Sequence, residues 1–163
     1  MSVSVDAEAG AMHISGAGPA IFWGGLAVGV LDLAYAVVFY SSYYSVRATA
    51  IPQSIASGLL GADAFKGGMT TVALGTALHF FIAYSVAAVY VLASRRLRFL
   101  TKQAVLWGMI YGAAVYSFMH TVVLPLSAVA KGHHNLFPMV CEFIEHCFFV
   151  GLPVALIAKR YEA

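Results

Sequence analysis

Long apolar runs, each broken by only a few ionisable residues, make up most of the chain. Four of them, at 21–40, 69–93, 104–130 and 136–158, are each long enough to cross about 30 Å of hydrocarbon as a helix. None shows the ten-residue alternation of a membrane β-strand, so helix is the expected state throughout. Between the first two runs lies a longer stretch, 41–68, that contains IPQSIASGLLGADAF. Pro52 suits the first turn of a helix, and Ile55, Leu59 and Phe65 could line one side of it. The pattern predicts a short amphipathic or re-entrant helix on the outer side. An ordinary apolar loop is the plainer alternative. Short connections elsewhere make the helices antiparallel neighbours. The expected fold is all-α: a four-transmembrane-helix bundle at 21–158, with tails at 1–20 and 159–163.

Composition sharpens this picture. Of 163 residues, 61% are apolar and 10% charged, against about 45–50% and about 25% in soluble domains. Too little polar surface exists to cover a soluble globule, and too little charge for a disordered chain or a nucleic-acid module. The expected surroundings are a lipid bilayer, with no nucleic-acid partner. Arg95, Arg96, Arg98 and Lys102 share one loop, and Lys159 and Arg160 follow the last run, whereas Arg47, Lys66 and Lys131 lie in the other loops. Short basic loops stay cytoplasmic, which predicts both termini inside. Residues 1–20 contain no Lys or Arg; they lack the basic region of a signal peptide and read as a mobile cytoplasmic tail. Cys141 and Cys147 lie about 120° apart on a helix and cannot pair with each other. His133 and His134 sit in a loop and read as solvated, with surface metal binding as the alternative.

The ionisable residues inside the runs fall at one level. With alternating helix directions, Asp32 lies about 12 Å below the outer end of its run, and His79 and His120 about 15 Å. Glu142, Glu145 and His146 follow at about 9, 13 and 15 Å. Spacing also predicts their facing. Gly25, Gly29, Asp32 and Ala36 make one stripe, and Gly75, His79 and Ala83 another. Ala113, Ser117, His120 and Leu124 share a face, as do Glu142, Glu145, His146 and Phe149. A lone charge at mid-membrane costs at least about 2.5–3.5 kcal/mol, so these groups are expected to gather inside the bundle.

Three chemistries fit such a gathering. Imidazole and carboxylate together suit a divalent transition metal such as Zn, Fe or Mn. His79, His120, Glu142 and His146 would be its ligands, with Asp32 and Glu145 orienting the imidazoles. Haem held between two imidazoles, for example His79 and His146, is less attractive among so many carboxylates. The same residues could instead handle protons or ions without a fixed metal. They could also be structural, in an accessory subunit of a larger complex or a homo-oligomer. The GxxxG pairs Gly25/Gly29 and Gly108/Gly112 are sufficiently explained by close packing of helix backbones; only in that last case would they supply docking faces. No nucleophile motif, phosphate loop or dinucleotide fingerprint is present, so any catalysis would be metal-based.

From the second run onward the chain resembles the YagU-like family of bacterial inner-membrane proteins. The likeness rests on His79, on VLWGMIYGAAVYSFMHTVVLPLSAV with His120 before Pro125, and on CEFIEHCFF with Glu142 and His146. It covers roughly the C-terminal half and leaves Asp32 and 41–68 outside. The resemblance implies an inner-membrane location, a link to acid resistance, and His79, His120, Glu142 and His146 acting as a unit. It implies no particular reaction.

Overall fold

Helix is the only regular structure among the described residues, 16–129 and 135–162, of the computed structural model. The expectations for 1–15, Ala130, His133 and His134 fall outside those residues. Four helices are long and apolar enough to cross a membrane: α1 (Ala17–Tyr44), α3 (Gly68–Arg96), α5 (Ala104–Leu126) and α6 (Leu136–Arg160). The chain is therefore a multi-pass membrane protein with the expected four-helix architecture. Short elements join them: α2 (Ala50–Leu60) and a 3-10 helix (Gly61–Lys66) between α1 and α3, and α4 (Phe99–Lys102) between α3 and α5. The first span starts earlier than expected. Residues 17–20 belong to α1 rather than to a tail, because Ala17 and Ala20 are buried against the bundle. At 28 residues, α1 is about 42 Å long and overreaches the hydrocarbon.

One half of the bundle is tightly packed with small residues. Ala20, Ala83, Ala87, Ala155 and Ala158 are buried with Val91 and Val154 in a single cluster. On α3 the buried positions Thr71, Gly75, His79, Ala83, Ala87 and Val91 recur every four residues, which gives one inward stripe. Gly16 and Tyr161 meet in this half beside Arg95, whose guanidinium donates to the Tyr161 carbonyl at 3.0 Å. Arg95, Arg96, Arg98, Lys102, Lys159 and Arg160 collect there, and Arg47 and Lys66 lie at the opposite end.

The other half is held apart by α2. Its first turn contains Pro52, whose missing N–H costs nothing because the first donors of a helix have no internal partner. Gly61 ends it at a positive φ of 59°, a conformation glycine adopts without strain. The backbone of α2 lies directly on α3, since a Cβ at Gly75 would collide with the Pro52 carbonyl. Gln53 Nε2 donates to the Gly68 carbonyl at 3.2 Å, and the Ala128 N–H donates to the Gly58 carbonyl at 2.9 Å. These bonds tie α2 both to α3 and to the segment that follows α5.

The glycine pairs pack within the chain, as their spacing suggests. Side chains at Gly25 and Gly29 would strike the rings of Tyr84 and Phe80 on α3. Gly108 and Gly112 face α6, where a side chain at Gly151 would meet the Gly108 carbonyl and the Gly112 backbone. Close approach of helix backbones through small residues is what membrane helices use in place of a hydrophobic drive.

Both α5 and α6 contain one turn of π-helix, at Met119–Val123 and at His146–Gly151. The Leu124 N–H reaches back to the Met119 carbonyl, and the Leu152 N–H to the Cys147 carbonyl. In each helix a proline, Pro125 or Pro153, follows immediately. Proline has no N–H for the carbonyl four residues before it, and its ring crowds that carbonyl, so the helix widens locally.

Candidate functional site

Above the packed half, between α1, α3, α5 and α6, lies a cavity of about 660 Å3. Its floor is apolar and includes Val28, Ala83, Val86, Val115 and Val150. Its roof is α2, with Ile51, Ser54 and Ile55, together with Phe65. Between floor and roof runs a belt of polar side chains: Asp32, Tyr40, His79, His120, Glu142 and His146. The common depth expected of the ionisable residues is thus the level of this belt. Where the cavity runs between α3 and α5, Tyr111 spans the gap, its hydroxyl donating to the Val86 carbonyl at 2.7 Å.

Each imidazole is fixed by a carbonyl. His79 is buried and its Nε2 lies 2.9 Å from the Gly29 carbonyl. His120 Nδ1 lies 3.1 Å from the Tyr116 carbonyl. His146 Nδ1 lies 3.0 Å from the Glu142 carbonyl and 2.6 Å from Glu145 Oε2. A carbonyl only accepts, so each of these nitrogens carries the hydrogen. In the neutral ring the other nitrogen is then the lone-pair acceptor: Nδ1 of His79 and Nε2 of His120 and His146.

The carboxylates divide between two pairs. The Tyr40 hydroxyl donates to Glu142 Oε1. The second Glu142 oxygen lies 3.4 Å from His120 Nε2. With a hydrogen on His120 Nδ1 the two facing atoms are both acceptors, so a proton or another cation between them would make the contact favourable. Glu145 is 4% exposed and stands behind His146; its Oε1 is buried without a partner among the described residues. Asp32 faces Glu145, His146, His79 and Glu142 across the belt.

The facing expected of α5 and α6 needs correction. Ser117 and Phe149 are exposed, whereas His120, Leu124 and His146 line the cavity. The expected stripes assumed an unbroken 3.6-residue turn, and the π turns shift the phase at His120 and after His146. Phe149 packs its edge on Tyr35 instead. On α1 and α3, which have no π turn, Asp32, Ala36, His79 and Ala83 do line the cavity.

The four expected metal ligands share one cavity without forming one coordination sphere. Among the described residues no three His, Cys, Asp or Glu side chains are grouped so as to hold a metal ion. Glu142 and His120 meet each other, and His146 turns its Nδ1 to Glu145. Cys141 and Cys147 are free thiols. Tyr40 and Tyr116 were not among the expected site residues. Tyr40 lies four residues beyond Ala36 on the Asp32 stripe, but a tyrosine near a span end reads as an interfacial anchor. Tyr116 stacks on His120 with ring centroids 4.1 Å apart and meets His146 edge-on at 5.6 Å.

No protein-family model matches the chain, and neither curated proteins nor solved structures show a significant likeness to it.

Proposed function

We propose that this four-span membrane protein takes up and releases protons at the polar belt of its cavity, and that its activity runs through that exchange. The observation that carries the reading is the line Tyr40–Glu142–His120, in which a carboxylate stands between a phenol donor and an imidazole nitrogen inside an apolar wall. Glu145 and His146 form a second pair beside it, and Asp32 completes the belt. The test is infrared titration of the carboxyl bands and ¹⁵N resonances of the imidazoles in purified protein between pH 5 and 9. Proton flux into vesicles holding the protein is measured alongside. Expected are carboxyl and imidazole transitions that Glu142→Gln and His120→Ala alter, with loss of flux. Groups that do not titrate in that range refute the reading.

A divalent metal is the second reading. It is favoured by the three imidazoles that each keep one nitrogen free of the backbone. Ligation by His79, His120, Glu142 and His146 would use those free nitrogens, with His120 Nε2 and Glu142 Oε2, 3.4 Å apart, facing one ion. Elemental analysis of protein purified without chelators tests it. Near one equivalent of Zn, Fe or Mn, absent from a folded His120→Ala/His146→Ala variant, would establish the site, and a Soret band lost in that variant would point to haem.

We further propose that both termini face the cytoplasm of a bacterial inner membrane, with the cavity in the outer half of the bilayer. The six basic residues at one end of the bundle support this, and a C-terminal reporter fusion active only in the cytoplasm tests it. Membership of the YagU-like family, and a role in acid resistance, rest on the motifs around His79, His120, Glu142 and His146. Survival of a deletion strain in acid, restored by the parent but not by Glu142→Gln, tests that role.

A further inference from the structure

We infer that the cavity is a binding site for a lipophilic organic cation, which enters in exchange for a proton of the belt. The inference rests on the proton-exchange reading above. It draws on the size of the cavity, its charge balance and its walls.

About 660 Å3 lies within the roughly 300–1,000 Å3 of pockets that hold drug-sized molecules. The floor below the belt and the α2 roof above it are apolar, so an occupant must be largely apolar on both sides of its polar centre. Charge then decides between occupants. Among the described residues no Lys or Arg lines the cavity. Arg47 and Lys66 line a second, more open depression that adjoins the cavity at Val46, Ala50 and Phe65, and Lys66 is paired with Asp63 at 2.8 Å. Among the described residues an anionic headgroup at the belt would therefore find no permanent counter-charge lining the cavity.

The belt and its backing hold three acids, Asp32, Glu142 and Glu145, and three imidazoles, His79, His120 and His146. With neutral imidazoles and ionised acids the set carries three negative charges. Three protons neutralise it, and only a fourth makes it positive. Over the whole range short of that it is neutral or negative. A negative belt in an apolar wall is costly, and a cation supplies the compensation that a departing proton removes. Tyr40 and Tyr44 from α1 and Phe65 from the roof add ring faces at the cavity wall, which attract organic cations.

The groups facing the exchanging carboxylates come from each packed element. Tyr40 and Asp32 come from α1, His79 from α3, His120 and Tyr116 from α5, and Glu145 and His146 from α6. Charge balance is simple: one organic cation binds, one proton leaves to solvent, the belt becomes one unit more negative, and the belt with its bound cation keeps the original net charge.

The test uses the full chain in an uncharged maltoside detergent, with tetraphenylphosphonium as probe and triphenylphosphine oxide as its uncharged counterpart. Calorimetry in buffers of different ionisation enthalpy counts the protons released. Expected is binding of the phosphonium with release of one proton. Its affinity should rise by up to about tenfold per pH unit, the limit for one exchanged proton. Loss is expected in the Asp32→Asn/Glu142→Gln variant, checked for folding by circular dichroism and elution. The phosphine oxide should not bind. Equal binding of both probes, binding without proton release, or no binding overturns the inference. In each of those cases the infrared titration of the same sample decides separately whether the proton-exchange reading stands.

Discussion

Gly75→Ala isolates the attachment of α2. A Cβ at Gly75 would overlap the Pro52 carbonyl oxygen and lie 2.6 Å from the Pro52 carbonyl carbon and 3.2 Å from the Ala56 nitrogen. Ordinary contact is 3.4–4 Å, so α2 must withdraw by about 0.8 Å or more. The obstacle is backbone on both helices and cannot rotate aside. Overpacking of this kind costs about 1–3 kcal/mol, and the helix propensity alanine adds to α3 is the same whether α2 is docked or open, so it does not offset that cost. The whole of it falls on the docked state of α2, roughly a 5- to 150-fold rise in its opening. Trypsin reads this directly, because Arg47 and Lys66 flank α2 and cleavage of a briefly opened segment follows the open population. Cleavage at both sites is expected to accelerate by that factor in Gly75→Ala. It should stay unchanged in Gly18→Ala, where an added Cβ meets nothing within 4 Å. Equal rates in Gly75→Ala and the parent would show that α2 does not lie on α3 as described.

Gly151→Ala forces a side chain against the backbone of Gly108 and Gly112. It is expected to lower the thermal midpoint in detergent by the equivalent of about 1–3 kcal/mol. Glu145→Ala leaves His146 Nδ1 with only the Glu142 carbonyl. The His146 ¹⁵N resonances should keep the Nδ1–H pattern that the carbonyl imposes, while loss of the carboxylate contact should cost about 1–3 kcal/mol of stability. Tyr40→Phe removes the phenol that donates to Glu142 and is expected to cost about 1.5–3 kcal/mol by thermal unfolding if the acceptor is ionised. Tyr44→Phe, which breaks only a 3.5 Å bond to exposed Asn135, should cost far less.

The spans and the level of the ionisable residues were legible because both follow from run length and helix rise. On α3 the stripe through Gly75, His79 and Ala83 was legible as well, since that helix is regular and its small residues mark the packed face. What escaped the pattern has definite causes. The facing of Ser117 and Phe149 depends on the two π turns. A proline signals some distortion but not whether the helix kinks, breaks or widens. The glycine pairs look alike in sequence whether they pack within the chain or against a partner. The division of the acids, Glu142 to His120 and Glu145 to His146, depends on how the helices rotate about their axes, which spacing along one helix does not fix. Tyr40 was hidden because its phenol suits an interface as well as a buried carboxylate.

The widened turns of α5 and α6 also give the two halves of the bundle separate rotational settings. Each π turn carries in effect one inserted residue between the part of the helix on its N-terminal side and the part beyond it. On α6 the insertion falls between the site residues Glu142 and His146 and the packing residues Gly151, Val154 and Ala155. Removing one residue there would turn the later half by about 100° about its axis. The contact of Gly151 with Gly108 would then turn toward lipid, while Gly112 would stay against the backbone of His146 and Cys147. Gly112 therefore ties the packed half to the cavity at the very residue that carries the imidazole, and a change of seam on either side of it is felt at the site.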